Sequence, residues 1–313
     1  MTSLSAPDIV DTLSERVVGR RRELEVLMAA LAADRHVLLE GPPGTGKSTI
    51  LREVAAAAGT GFVFVEGNAE LTPARLAGQF DPSRVLEDGY TPDVFVDGPL
   101  VEALRHGSLL YVEELNRVPE ETVNLLITVM SEGELTLPRL GTISAAGGFR
   151  LVAAMNPFDN IGTARVSGAV YDRMCRIAMG YQSLDDESDI VVRNTSEDDR
   201  VLRRRAVAVT RGTRNHPDVR VGSSVRGAID LVEVGHALAS MRSAQVTDPS
   251  VGLDAALTAL SGRIRLHEGG SSTPESVIAD LWEAVLAREH PRDDDDSSSG
   301  KATAPDGATP ASP

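Results

Sequence analysis

The 313-residue chain has one cysteine, one tryptophan and two lysines, Lys47 and Lys301, and each scarcity removes a class of protein. A lone Cys175 excludes an internal disulfide, and the small, polar stretch Met1 to Asp8 lacks a charged-then-apolar leader, so the expectation is a cytoplasmic protein. No apolar run approaches the roughly 18 to 20 residues that cross a bilayer, which argues against direct membrane insertion. Basic stripes are also missing. With a net charge of -15 and no long Lys or Arg run to neutralise phosphates along a polymer, the chain is expected to have no nucleic-acid partner. At 42% hydrophobic and 25% charged residues it has the makings of a real core, unlike a fibre or a disordered chain.

What is present is alternation. Residues 16 to 35 have helical spacing, with Leu24, Leu27, Met28 and Leu31 on one face, and lead into the apolar run His36-Val37-Leu38-Leu39. Phe62 to Val65, Leu109 to Val112 and Leu151 to Ala154 are further short strand candidates separated by helix-like or loop-like sequence, the pattern of a parallel α/β sheet. From about Leu184 the pattern turns helical, through Val201 to Val209, Ser224 to Met241, Leu253 to Leu260 and Ser276 to Arg288. The expected domains are an α/β core over 1–183, a helical domain over 184–290 and a disordered acidic, Pro-Ala-Ser tail over 291–313. The Gly-Pro-rich stretch Gly133 to Phe149 reads as a β-hairpin from Glu134-Leu135-Thr136-Leu137 to Gly148-Phe149-Arg150.

The segment Gly41-Pro42-Pro43-Gly44-Thr45-Gly46-Lys47-Ser48 fits the P-loop pattern, follows a strand candidate and opens a helical run from Ser48 to Ala58. Chance produces the bare pattern in roughly one chain in a hundred of this size, and the flanking strand and helix reduce that further. Backbone amides over Gly41 to Thr49 would curl around ATP phosphates, Lys47 would reach the β/γ phosphates and Ser48 would ligate Mg²⁺. Downstream, Leu109-Leu110-Tyr111-Val112 ends in Glu113 and Glu114, where a P-loop enzyme needs one acid for Mg²⁺ and one to activate water. Glu113 takes the first role and Glu114 the second; a solvated strand end bearing two acids is the plainer alternative.

With Val152-Ala153-Ala154-Met155-Asn156-Pro157 added, the chain resembles the MoxR branch of the AAA+ ATPases, related to the CbbQ/NorQ and magnesium chelatase ATPase subunits. Glu113-Glu114-Leu115-Asn116-Arg117 resembles its D-E-I-N-R, Phe95-Val96-Asp97-Gly98-Pro99-Leu100 its F-x-x-G-P-L, and Gly162-Thr163 with Tyr171-Asp172-Arg173 its G-T and L-D-R-F. Tyr181-Gln182-Ser183-Leu184 and Gly222-Ser223-Ser224-Val225-Arg226 are similar to Y-P-S-L and G-A-S-P-R. Glu113 stands where the branch has Asp, and Met174 where it has Phe. The resemblance covers roughly residues 16 to 245 and implies a P-loop αβα sandwich followed by an all-helical lid.

The resemblance also implies roles. Asn156 would orient water as sensor 1, Arg173 would act as an arginine finger in a neighbouring subunit, Arg226 would be sensor 2, and Arg117 a weaker inter-subunit candidate. Leu71 to Val96 would match the helix-2 insert. The implied protein is an ATP-hydrolysing homo-oligomeric ring, hexameric in the usual case, that remodels a protein client together with a von Willebrand factor A domain partner. A nucleotide-gated scaffold with little or no hydrolysis is the alternative, and Glu113 in place of Asp permits it. Plainer roles compete: Asn156 as a turn cap before Pro157, the arginines as surface ion pairs, and Cys175 as buried filler rather than a reactive thiol.

Overall fold

A computed structural model describes residues 6–157, 166–195 and 199–289. Gly162, Thr163 and the 291–313 tail lie outside the described residues. The chain forms two compact units, one of Met1–Asp198 with Ser224–Ile229 and one of Asp199–Ser223 with Asp230–Pro313. In order, the first contains α1 (Ala6–Ser14), α2 (Arg21–Ala32), β1 (His36–Glu40), α3 (Lys47–Ala58), β2 (Phe62–Glu66), α4 (Pro73–Ala77) and β3 (Gly78–Phe80). Then come α5 (Pro82–Asp88), β4 (Phe95–Asp97), α6 (Pro99–His106), β5 (Leu109–Glu113), α7 (Glu120–Glu132), β6 (Glu134–Leu137) and β7 (Gly141–Ser144). Its last elements are β8 (Arg150–Met155), α8 (Gly168–Arg173), β9 (Met174–Ala178) and α9 (Leu184–Asn194). The second unit holds α10 (Arg200–Asn215), β10 (Val219–Val221), most of α11 (Val225–Arg242), α12 (Pro249–Leu260), β11 (Arg265–Leu266) and α13 (Pro274–Glu289).

Five strands make one sheet in the order β2-β5-β8-β1-β9, with all four pairings parallel. Alternation along each strand feeds two cores. Val37 and Leu39 of β1, Tyr111 of β5, and Val152 and Ala154 of β8 pack on one face with Ile50, Leu51 and Val54 of α3. Leu38, Leu110, Val112, Leu151 and Ala153 pack on the other with Leu100 and Leu104 of α6 and Leu126 of α7. Central strands buried on both faces are therefore nearly continuous apolar runs, which is why they stood out in the sequence. Because the strands are parallel, the ends of β1, β5 and β8 meet along one sheet edge.

Several elements differ from expectation. The arm returning from β6 is β7, with Thr136 and Thr142 hydroxyls 2.9 Å apart across the ladder, whereas Gly148 and Phe149 lead into β8. Strand β9 was not foreseen: as a sheet edge it buries Met174 and Ile177 while exposing Cys175, so the reading of Cys175 as buried filler is corrected. The 71–96 insert folds into α4, α5 and the antiparallel pair β3–β4. The helical C-terminal unit also carries a two-stranded antiparallel pair, β10–β11.

Two residues give stability predictions. Trp282 is 1% exposed, donates its indole N–H to the Pro249 carbonyl at 3.2 Å, and rests where a Cβ on Gly252 would sit. Trp282→Ala should cost about 3–5 kcal/mol in urea unfolding, whereas Leu86→Ala, at an 89% exposed site, should change stability by less than about 0.5 kcal/mol. His36 accepts the Leu151 N–H at Nδ1 at 2.9 Å, and burial, helped by Arg35, lowers its pKa from 6.5. A depressed folded pKa means the unfolded chain takes up the proton first. The stability His36 supplies is thus complete above about pH 6.5 and is lost as pH falls below it; His36→Phe should flatten that part of the pH–stability curve.

Candidate nucleotide-binding site

The loop from Gly41 to Ser48 joins β1 to α3 at the edge where the parallel strands end. Gly46 adopts φ +85° as the N-cap of α3, a conformation that strains any residue with a Cβ. Lys47 is 8% exposed. Its Nζ donates to the carbonyls of Gly41 and Pro42, both at 2.8 Å, and the Thr45 hydroxyl donates to Pro42 at 3.0 Å. Burial lowers the Lys47 pKa to about 8; Glu113 opposes the shift, Arg226 and Arg20 add to it, and Glu114 opposes it. An anion placed among Lys47, Arg226 and the helix N-terminus would oppose that shift.

At the end of β5, Glu113 Oε1 accepts a hydrogen bond from Ser48 Oγ at 2.5 Å, and the Tyr111 hydroxyl lies 3.2 Å from the same Oγ. Glu114 follows at φ 52°, ψ 46°, a left-handed conformation that costs a non-glycine residue about 1–3 kcal/mol and is found where the surroundings impose it. Its carboxylate pairs with Arg117 Nε at 2.7 Å; with the two side chains 41% and 44% exposed, the bridge itself stabilises little. Gly67 holds the strand end from the β2 side. Its N–H donates to the Glu113 carbonyl at 2.7 Å, and a Cβ there would sit 2.5 Å from the Glu114 carbonyl oxygen and 2.6 Å from that of Glu113. Only glycine fits so close an approach.

One cleft is lined by Pro43 to Thr49, Glu113, Glu114, Asn116, Arg117, Ala154 to Asn156, and Arg226. The expected P-loop, acid pair, Asn156 and Arg226 are thus neighbours. Asn116, 8% exposed, donates from Nδ2 to the Asn156 carbonyl at 3.4 Å. Arg173 is elsewhere, at the end of α8, where it donates to Ser131 Oγ at 2.6 Å and to the Ala169 carbonyl at 3.0 Å. A second recess beside Gly44, Gly46 and Thr49 is lined by Val17, Val18, Gln182, Ile190, Val225 and Ile229 among others. Tyr111, Gly67, Asn116 and this recess were not foreseen. The signals available were a polar hydroxyl inside the Leu109–Val112 run and a glycine directly after β2.

Ser48 and Glu113 present hard oxygen donors, the type that suits Mg²⁺. Among the described residues no cluster of three or more His, Cys, Asp or Glu side chains could hold a metal alone, so a cation here would be completed by phosphate and water, as Mg²⁺ commonly is. The residues present fit that group.

Comparison with known proteins finds a family match over the elements that build this cleft. The AAA domain (dynein-related subfamily) matches residues 36–174, from β1 to the start of β9. YeaC of Bacillus subtilis is 27% identical over 309 residues, covering 90% of this chain and 91% of its own length. The gas vesicle ATPase GvpN of Haloferax mediterranei is 27% identical over 267 residues, 80% of this chain and 75% of GvpN. Two solved structures share the fold: a Cytophaga hutchinsonii protein assigned as an ATPase (TM-score 0.51, 19% identity, 88% of this chain and 93% of that one) and Thermotoga maritima RuvB (TM-score 0.52, 18% identity, 78% and 70%). Residues 36–174 thus match the AAA domain (dynein-related subfamily), and most of the chain is similar to YeaC and to the gas vesicle ATPase GvpN.

Proposed function

We propose that this protein binds ATP·Mg²⁺ in the cleft and hydrolyses it as one AAA+ subunit of a homo-oligomeric, most simply hexameric, ring. The observation that carries the reading is the junction of Ser48 and Glu113 at 2.5 Å beside buried Lys47, with Glu114 and Asn156 lining the same cleft. Lys47 would exchange its two loop carbonyls for β/γ phosphate oxygens, and the Gly44 to Thr49 amides would hold the remainder of the phosphate chain. The half-apolar recess at Val17, Ile190 and Ile229 suits the base. Mg²⁺ on Ser48 and Glu113 would supply neutralisation of phosphate charge as it develops.

Glu114 would take the proton from a water that Asn156 orients. For this the Glu114 carboxylate leaves Arg117, an exposed pair that costs little to open. Arg173, away from its own cleft, would enter a neighbour's and stabilise transition-state charge. Arg226 at the start of α11 would contact the γ-phosphate, and because α11 continues into the helical unit, hydrolysis would be coupled to lid movement. The task would be remodelling of a protein client, with a von Willebrand factor A domain protein as partner. The naming of Haloferax mediterranei GvpN as an ATPase supports hydrolysis.

Glu113 at the position where the branch has Asp supports a second reading, in which nucleotide gates assembly and hydrolysis is slow. Phosphate release across a protein concentration series separates the two. For the ring ATPase, activity per subunit rises with concentration, Lys47→Ala and Glu114→Gln lose it, and Arg173→Ala lowers it by about 10³-fold. If wild type and Glu114→Gln are equally silent while ATP still drives assembly, the scaffold replaces the enzyme.

A further inference from the structure

The Tyr111 side chain is 0% exposed and lies where its polar end has no obvious structural need. Its ring packs beside Phe62 and Phe64 of the neighbouring strand, centroids 6.0 and 5.7 Å away, and in the core under α3 with Leu39, Ile50 and Leu51. A phenylalanine would fill that space without bringing a polar group into the interior. The hydroxyl instead ends 3.2 Å from Ser48 Oγ.

Proton counting gives the direction of that hydrogen bond. A serine hydroxyl has one proton and two lone pairs. The Ser48 proton goes to Glu113 at 2.5 Å, a charge-assisted bond and the stronger of the two. With that proton committed, the Tyr111 hydroxyl can donate to Ser48 Oγ, occupying one lone pair and leaving the other for a cation, while it also lies within reach of the Glu113 carboxylate. Strand alternation places residues 111 and 113 on the same side of β5, so one strand supplies both the group that donates to Ser48 and the group that accepts from it.

Resting on the ATP·Mg²⁺ reading of the cleft, we propose that Tyr111 is a positioning residue for Mg²⁺. Its hydroxyl, anchored by the buried ring, fixes the rotor of Ser48 and aims the free lone pair into the cleft, and Ser48 in turn pins the long Glu113 side chain. A glutamate loses more rotamer freedom than an aspartate when it is held in one place, and the Tyr111–Ser48–Glu113 chain meets that cost before the cation arrives. Groups that orient metal ligands typically change metal affinity by about 10–100-fold when removed.

The test is equilibrium binding of a fluorescent ATP analogue, in EDTA and across a Mg²⁺ titration, for wild type, Tyr111→Phe, Ser48→Ala and the double variant. Tyr111→Phe keeps the ring and is expected to raise the half-saturating Mg²⁺ concentration about 10-fold or more, with binding in EDTA changed less than about twofold. In the Ser48→Ala background the same substitution should have no further effect, because Tyr111 acts through Ser48. A Tyr111→Phe titration that superimposes on wild type overturns the positioning role and leaves the ATPase reading standing, as does an equal shift in both backgrounds. A wild type that binds no nucleotide under any condition overturns both.

Discussion

The hydrogen bond from Ser48 to Glu113 joins the first turn of α3 to the last residue of β5, two elements 65 residues apart in sequence. The P-loop can present its amides to an anion only if α3 starts at the right depth against the sheet, and this bond sets that depth at the point where chemistry is needed. On one side of it Lys47 is buried against the loop's own carbonyls, its charge made costly by burial. On the other, Glu114 is turned into a left-handed conformation. Gly67 completes the clamp by approaching so closely that a side chain would strike the Glu113 and Glu114 carbonyls.

This junction depends in turn on a parallel sheet. With β1, β5 and β8 running the same way, their C-terminal ends converge, and the loop after β1 from Pro43 onward, Glu114 and Asn156 reach one cleft. The apolar faces above and below hold the strand ends in register: Tyr111 and Val37 belong to one core, Val112 and Leu38 to the other. Burial on both sides leaves these strands little freedom to slip, because a shift of one residue would exchange the two faces.

That same burial explains what could be read in advance. The apolar runs at β1, β5 and β8, the aromatic and β-branched run of the less buried edge strand β2, and the glycine pattern between β1 and α3 carry local signals. Strand β9 does not: Met174-Cys175-Arg176-Ile177-Ala178 pairs with β1 on one side only, buries residues 174 and 177, and shows neither an apolar run nor strict alternation. The contact between Tyr111 and Ser48 was equally hidden, since it joins residues 63 apart and neither forms part of a motif with the other. Asn156 and Arg226 came from resemblance to a family, and no local rule would have brought them to the P-loop. Arg173 does not line the cleft.

The central claim is that the loop around Lys47 is a seat for the phosphates of a nucleotide whose binding is strengthened by Mg²⁺ at Ser48 and Glu113. Calorimetric titration of the protein with ATP, with and without Mg²⁺, beside Lys47→Ala, tests it most directly. The account predicts one ATP per chain, tighter binding with Mg²⁺, and loss of binding in Lys47→Ala. No detectable ATP binding, or binding that Lys47→Ala leaves intact, would contradict it.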